Sequence, residues 1–149
     1  MRTLWLRDRA LDLDRVRLLG VLNLTPDSFS DGGRYLDPER ALERAREMVA
    51  EGADILDLGA ESTRPGAAPV PVEEEKRRLL PVLEAVLSLG VPVSVDTRKP
   101  EVAEEALKLG AHLLNDVTGL RDERMVALAA RHGVAAVVMH MPVPDPATM

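Results

Sequence analysis

The chain has 149 residues, no cysteine and a net charge of -6; 46% of its residues are apolar and only 2% aromatic. This is the length of one ordinary domain with enough apolar content to bury a core, which excludes wholesale disorder. The acidic balance argues against a nucleic-acid partner, the lack of any run of about 18 apolar residues against a membrane span, and the lack of cysteine excludes disulfides and thiolate chemistry.

At the N-terminus, Asp8, Asp12 and Asp14 interrupt the basic residues Arg2, Arg7 and Arg9, unlike a secretory leader, and a cytoplasmic protein is expected. Residues 3–6 and 10–13 flank a polar turn and predict a small hairpin. Residues 16–23 then form the first strand of a repeating unit. Asp37 predicts an N-cap with Pro38 at the first helical position, followed by Ala41, Leu42, Ala45, Met48 and Val49 at helical spacing. Gly52 ends that helix, and residues 53–59 predict the second strand. A second helix is expected over about 73–89, with Leu79, Leu80, Leu83, Val86 and Leu87 on its apolar face and Pro81 set to bend or interrupt it. Its charged start, Glu73-Glu74-Glu75-Lys76-Arg77-Arg78, reads as a solvated surface. After Gly90 comes a third strand to Asp96. A third helix from Pro100 uses Val102, Ala103, Ala106, Leu107 and Leu109. After Gly110 comes a strand to Asp116. A fourth helix from about Asp122 uses Met125, Val126, Leu128 and Ala129, and after Gly133 a fifth strand runs to His140.

The recurring unit is therefore a helix, a C-capping glycine and a short apolar run. Runs of that kind are strands buried on both faces, and strict alternation with helices makes them parallel with right-handed crossovers. Two α/β architectures fit: a doubly wound sheet, or the first half of a (β/α)8 TIM barrel, which needs about 250 residues. Polar residues gather where the strands finish: Asn23, then Asp57 with Glu61, Asp96, Asn115 with Asp116, and His140. One such residue would be an ordinary turn former, but five strands in succession point to a ligand site at the carboxyl ends. His112 reads as a packed histidine and His132 as a favourable charge at a helix end.

The loops after the first two strands are long and rich in hydroxyls, glycine and proline, which suits lids over a scaffold. The first runs Leu22-Asn23-Leu24-Thr25-Pro26-Asp27-Ser28-Phe29-Ser30-Asp31-Gly32-Gly33 and resembles the first signature of the dihydropteroate synthase family. Asp57-Leu58-Gly59-Ala60-Glu61-Ser62-Thr63-Arg64-Pro65-Gly66 resembles its second. Ser94-Val95-Asp96-Thr97-Arg98-Lys99-Pro100, Leu114-Asn115-Asp116-Val117 and Val138-Met139-His140-Met141 are similar to its later strand ends, so the resemblance covers essentially the whole chain.

The resemblance implies a (β/α)8 barrel, of which this chain covers an N-terminal hairpin and strands 1–5 with helices 1–4. It divides the chain into a hairpin at 1–15 and the first half of a pterin-binding barrel at 16–149. It implies a transferase of folate biosynthesis that joins (7,8-dihydropterin-6-yl)methyl diphosphate to p-aminobenzoate with Mg²⁺, releasing pyrophosphate, and that forms a homodimer. By resemblance, Asn23 lies at the metal and diphosphate. Thr63, Asp96 and Asn115 match pterin-diphosphate positions, and Met139 packs near the pterin ring. Phe29, Thr63, Arg64 and Pro65 match lid residues around the aminobenzoate, and Asp31 and Arg64 carry the catalytic expectation. The chemistry agrees: a carboxylate and a carboxamide on adjacent strands complement an aminopyrimidinone edge, and Mg²⁺ takes oxygen ligands beside phosphates. An acidic lid residue such as Asp31 suits the positive charge left when diphosphate departs. Without ligand, the lids at 25–33 and 62–69 are expected to be among the least stable parts of the chain, whereas Asp96 and Asn115 should already be placed.

The pattern of the family continues beyond residue 149, and the tail 141–149 lacks the glycine usual there, so the chain is expected to belong to a longer enzyme. The alternatives are a pterin-binding methyltransferase, against which the Thr25-Pro26-Asp27-Ser28-Phe29-Ser30 lid argues, and a non-catalytic half-barrel that binds pterin or assists assembly. The hairpin is expected to plug the amino-terminal end of the barrel wall through Trp5 or Leu11.

Overall fold

The computed structural model describes residues 3–6, 9–24, 38–59, 71–116 and 123–138. Strands β1 (Thr3–Leu6) and β2 (Arg9–Asp12) pair antiparallel, with Leu6 opposite Arg9. There follow β3 (Leu19–Asn23), α1 (Pro38–Ala50), β4 (Ile55–Gly59), α2 (Val72–Leu87), β5 (Val93–Asp96), α3 (Pro100–Leu109), β6 (Leu113–Asp116), α4 (Glu123–His132) and β7 (Ala135–Val138). The five later strands form one parallel sheet in the order β3-β4-β5-β6-β7, as the alternation predicts, with no inserted strand and no reversal among the described residues. A reversal is what a doubly wound sheet would require.

The four capping glycines behave alike. Gly52, Gly90, Gly110 and Gly133 have φ of 112°, 79°, 123° and 63°, a region that side chains disfavour, and each turns the chain from a helix toward the next strand. One apolar layer lies between sheet and helices. Leu22, Leu56, Leu58, Val93, Val95 and Leu114 from the strands meet Ala41, Ala45, Leu79, Leu83, Val102, Ala106 and Met125 from the helices. The alternate strand residues face the other side of the sheet. At its amino-terminal end, Ile55, Leu113 and Ala135, each the first residue of its strand, pack with Leu6, Leu4 and Leu11 of the hairpin.

The hairpin thus plugs the end expected of it, but Trp5 takes no part in the packing. It is 63% exposed, because strand alternation turns it away from the face that carries Leu4 and Leu6. Other expectations change in detail. The first long strand begins at Leu19 rather than at 16, and Val16 and Leu18 are exposed. Asp54 fixes this approach: its carboxylate accepts from Leu18 N at 2.9 Å and from Arg17 Nη1 at 3.3 Å, and Leu18 O accepts from Asp54 N at 2.8 Å. Helix α2 runs unbroken through Pro81, which lies on its exposed side, where the missing N–H and the ring are tolerated more readily than against the core. Leu109 and Val126 are exposed rather than core residues, while Val82 is buried. His112 precedes β6, and its Nδ1 accepts from Val93 N at 3.2 Å, a structural role. Asp37, expected to cap α1, lies outside the described residues.

Candidate functional site

The register of the sheet sets one row across its carboxyl end: Asn23, Gly59, Asp96, Asn115 and Val137. The residues before the first four, Leu22, Leu58, Val95 and Leu114, belong to the helix-facing core, so the row faces the opposite side. Asn23 is exposed there, and Asp96 and Asn115 are half-buried. Three of the residues expected to bind ligand or metal are thus brought together by strand pairing alone, with their backbones held by the ladder. Asp116 parts from its neighbour: it is buried and on the helix-facing side of β6.

Gly59 shapes the row. A Cβ added there would lie 3.3 Å from the Cβ of Asp96 and 3.5 Å from its Oδ2, so the glycine leaves the space in which the Asp96 carboxylate stands. Toward the barrel floor, Asp57 pairs in register with Val21 and Ser94 and is 3% exposed. Its Oδ2 accepts a hydrogen bond from Asn115 Nδ2 at 3.3 Å. Asp57 Oδ1 and the nearby Ser94 Oγ are buried and make no hydrogen bond of normal geometry. Burial pushes the Asp57 carboxyl above the usual aspartate range, and the polar groups of Ser94 and Asn115 offset that only in part.

Behind Asp96 the chain is tied to α2. Thr97 Oγ1 donates to Glu75 Oε2 at 2.5 Å, Lys99 Nζ donates to Glu75 Oε1 at 2.7 Å, and Lys99 N donates to Thr97 Oγ1 at 3.2 Å. Glu75 is 1% exposed, which corrects the expectation of a wholly solvated helix start. Glu75 stands four residues before Leu79 on the buried stripe with Val82, Leu83 and Val86, a spacing visible in the sequence but masked by its charged neighbours.

Phe29, Asp31, Glu61, Thr63, Arg64, Pro65, Met139 and His140 lie outside the described residues, as do both lids. Among the described residues no three His, Asp or Glu side chains gather to hold a metal. The Asn23 carboxamide can supply one oxygen, which suits an ion that keeps waters and binds substrate phosphates rather than a protein cage. From the sequence, Asp57 is one of the strand-end polar residues with no individual role, Gly59 and Ser94 carry none, and Glu75 is expected on a solvated surface.

Residues 19–149 match the family described as pterin binding enzyme. Dihydropteroate synthase of Bacillus subtilis is 50% identical over 129 residues, covering 85% of this chain and 45% of that protein. A crystal structure of dihydropteroate synthase from Thermus thermophilus in complex with 4-aminobenzoate superposes with a TM-score of 0.86 at 90% identity, over 99% of this chain and 52% of that one. Dihydropteroate synthase from Xanthomonas albilineans in complex with 7,8-dihydropteroate superposes with a TM-score of 0.81 at 43% identity, over 97% of this chain and 53% of that one. The chain therefore spans about half the length of these relatives. Its sheet and helices are the first five strands and four helices of a (β/α)8 barrel.

Proposed function

The chain belongs to the pterin-binding enzyme family, and on that premise we propose that it forms the pterin-binding half of a dihydropteroate synthase. The observation that carries this reading is the single row of Asn23, Asp96 and Asn115 on the open face of the carboxyl end. In it, Asp96 accepts N–H groups of the aminopyrimidinone ring, and Asn115 beside it pairs with the adjoining donor and acceptor. Asn23 lies two strands away, where the diphosphate of the substrate extends. Asn23 would supply one oxygen to hold Mg²⁺, which would provide charge neutralisation for the substrate's diphosphate.

The reaction breaks the bond between the pterin methylene carbon and the diphosphate oxygen, whose electron pair leaves with pyrophosphate. The amine of p-aminobenzoate forms the new carbon–nitrogen bond and loses a proton to water. Asp31 stabilises the positive charge that develops on the pterin methylene, and Arg64 holds the closed lid against the aminobenzoate. Phe29, Thr63 and Pro65 complete that pocket, and Met139 packs on the pterin ring. Residues 1–15 serve as the floor of the barrel and 16–149 as its first half. The whole protein works as a cytoplasmic homodimer, a state that sedimentation tests. The relatives described above carry the synthase name, which supports this reading over a pterin methyltransferase or an assembly subunit.

Calorimetry on the protein at its full natural length tests the proposal. Pterin should bind with the wild type, and Asp96→Asn should weaken it by about tenfold or more, the scale of one lost charge-assisted hydrogen bond. Asp31→Ala should lower turnover far more than pterin affinity. Wild-type protein that binds no pterin, or turnover untouched by Asp31→Ala, would refute the corresponding part.

A further inference from the structure

Asn115 has a carboxamide whose two ends differ chemically and hardly at all in shape. Rotating it by half a turn exchanges acceptor and donor and reverses what a ligand meets. The restraint on it comes from below, where Nδ2 donates to the buried Asp57 Oδ2 at 3.3 Å. Asp57 Oδ2 is the acceptor in that bond, so the N–H end of the amide is the end held toward it. The Asn115 oxygen and its second N–H are then left in a fixed order on the ligand side.

We propose that Asp57 is a positioning residue that sets the orientation of the Asn115 carboxamide, and through it the order of donors and acceptors the pocket accepts on a pteridine edge. The proposal rests on the pterin reading of the site and deepens it. Three features of the site support it. Asp57 is 3% exposed and stands in register beside Ser94, on the strand face that also carries Asp96 and, across the ladder, Asn115. Its second oxygen, Oδ1, is buried beside Ser94 and makes no hydrogen bond of normal geometry, whereas Oδ2 is engaged by Asn115 at 3.3 Å. A buried carboxyl so sparsely bonded lowers the stability of a fold, and a place directly beneath a ligand-facing amide gives a functional reason to keep it.

The ligand partner is defined by order. A 2-amino-4-oxopteridine and a 4-amino-2-oxopteridine have the same size and the same groups, with amino and oxo exchanged. A pocket whose amide is held one way accepts the first and leaves polar groups unpaired on the second.

Calorimetric affinities of both isomers for the full-length wild type and for Asp57→Asn form the test. The wild type should prefer the 2-amino-4-oxo isomer by about tenfold or more, as expected for one mispaired buried polar group. An asparagine at 57 can donate as well as accept, so it tolerates either orientation of Asn115, and the preference should fall several-fold. Thermal melting of the variant should stay cooperative. A role that is only structural would weaken both isomers alike, and an unchanged ratio overturns the proposal while leaving the pterin site standing. Wild-type protein that binds neither isomer overturns the pterin reading and this inference with it. Should Asp57→Asn fail to fold, the wild type decides through the Asn115 side-chain amide resonances. One proton shifted and slow to exchange supports the proposal, and two protons exchanging as in an exposed asparagine overturn it.

Discussion

Burial holds the Asp57 carboxyl above the ordinary aspartate range, so the folded protein binds that proton more tightly than the unfolded chain. The associated stability is fully present below the ordinary aspartate value and is lost as pH rises through the raised one. Asp57→Asn, neutral at every pH, should therefore melt at or above the wild-type temperature at pH 8. That advantage should vanish as the solution is acidified and the wild type takes up its proton. Melting curves at several pH values check this, and a variant equally destabilised at all of them contradicts it. Gly59 offers a test of the ligand row itself. With the Asp96 Cβ 3.3 Å from an added Cβ and its Oδ2 at 3.5 Å, Gly59→Ala crowds the Asp96 side chain and shifts it by a few tenths of an ångström. Pterin affinity should drop by about tenfold, the scale of one charge-assisted hydrogen bond, with the melting temperature little changed.

Helix α2 and the segment after β5 are joined by the buried Glu75 and its partners Thr97 and Lys99, the lysine side chain being 18% exposed. Removing one member of a buried pair strands the other. Glu75→Leu should lower unfolding free energy by roughly 3–5 kcal/mol in urea titration. Glu75→Leu with Lys99→Met should recover much of that loss, and a double variant no better than the single would show that Thr97 carries the tie. At the opposite end, Asp54 links β3 to β4. The Leu18 backbone N–H lowers its pKa most, and Arg17 and Arg15 add to this against the raising effect of burial. A depressed carboxyl contributes stability that is present above its unfolded pKa and lost as pH falls through the folded one. Asp54→Asn should flatten the acid side of the stability profile, which melting between neutral and strongly acidic pH will show.

Among the described residues, the hairpin caps one end of the sheet and the row of Asn23, Asp96 and Asn115 lies at the other. Leu6 sits at the centre of the floor, fully buried against Ile55 and Leu113. Leu6→Ala should cost about 2–5 kcal/mol, as for other buried leucines, and should lower stability without changing the pteridine selectivity proposed for the far end. A shift in ligand affinity as large as the shift in stability would show that floor and site are coupled. On the interior face Val21 is 59% exposed and Leu19 is 44% exposed, because β3 has one strand neighbour among the described residues.

Local chemistry was enough for most of the fold. Four helix-capping glycines, apolar runs of strand length and a proline at the start of α1 and α3 follow from backbone and burial rules that act over a few residues. The same pattern placed Asn23, Asp96 and Asn115 at strand ends, and the resemblance of their motifs pointed to a pterin. What sequence could not decide was which strand ends share a row, because that depends on register between segments some twenty to forty residues apart. Nor could it show that Glu75 is buried and Trp5 exposed. Burial of a side chain depends on the neighbour that packs against it, here the Thr97–Lys99 segment for one and, for the other, a hairpin that turns Leu4 and Leu6 inward instead. The Asp57–Asn115 contact spans 58 residues and exists only because β4, β5 and β6 lie side by side, so only the tertiary structure could set one amide against one carboxylate.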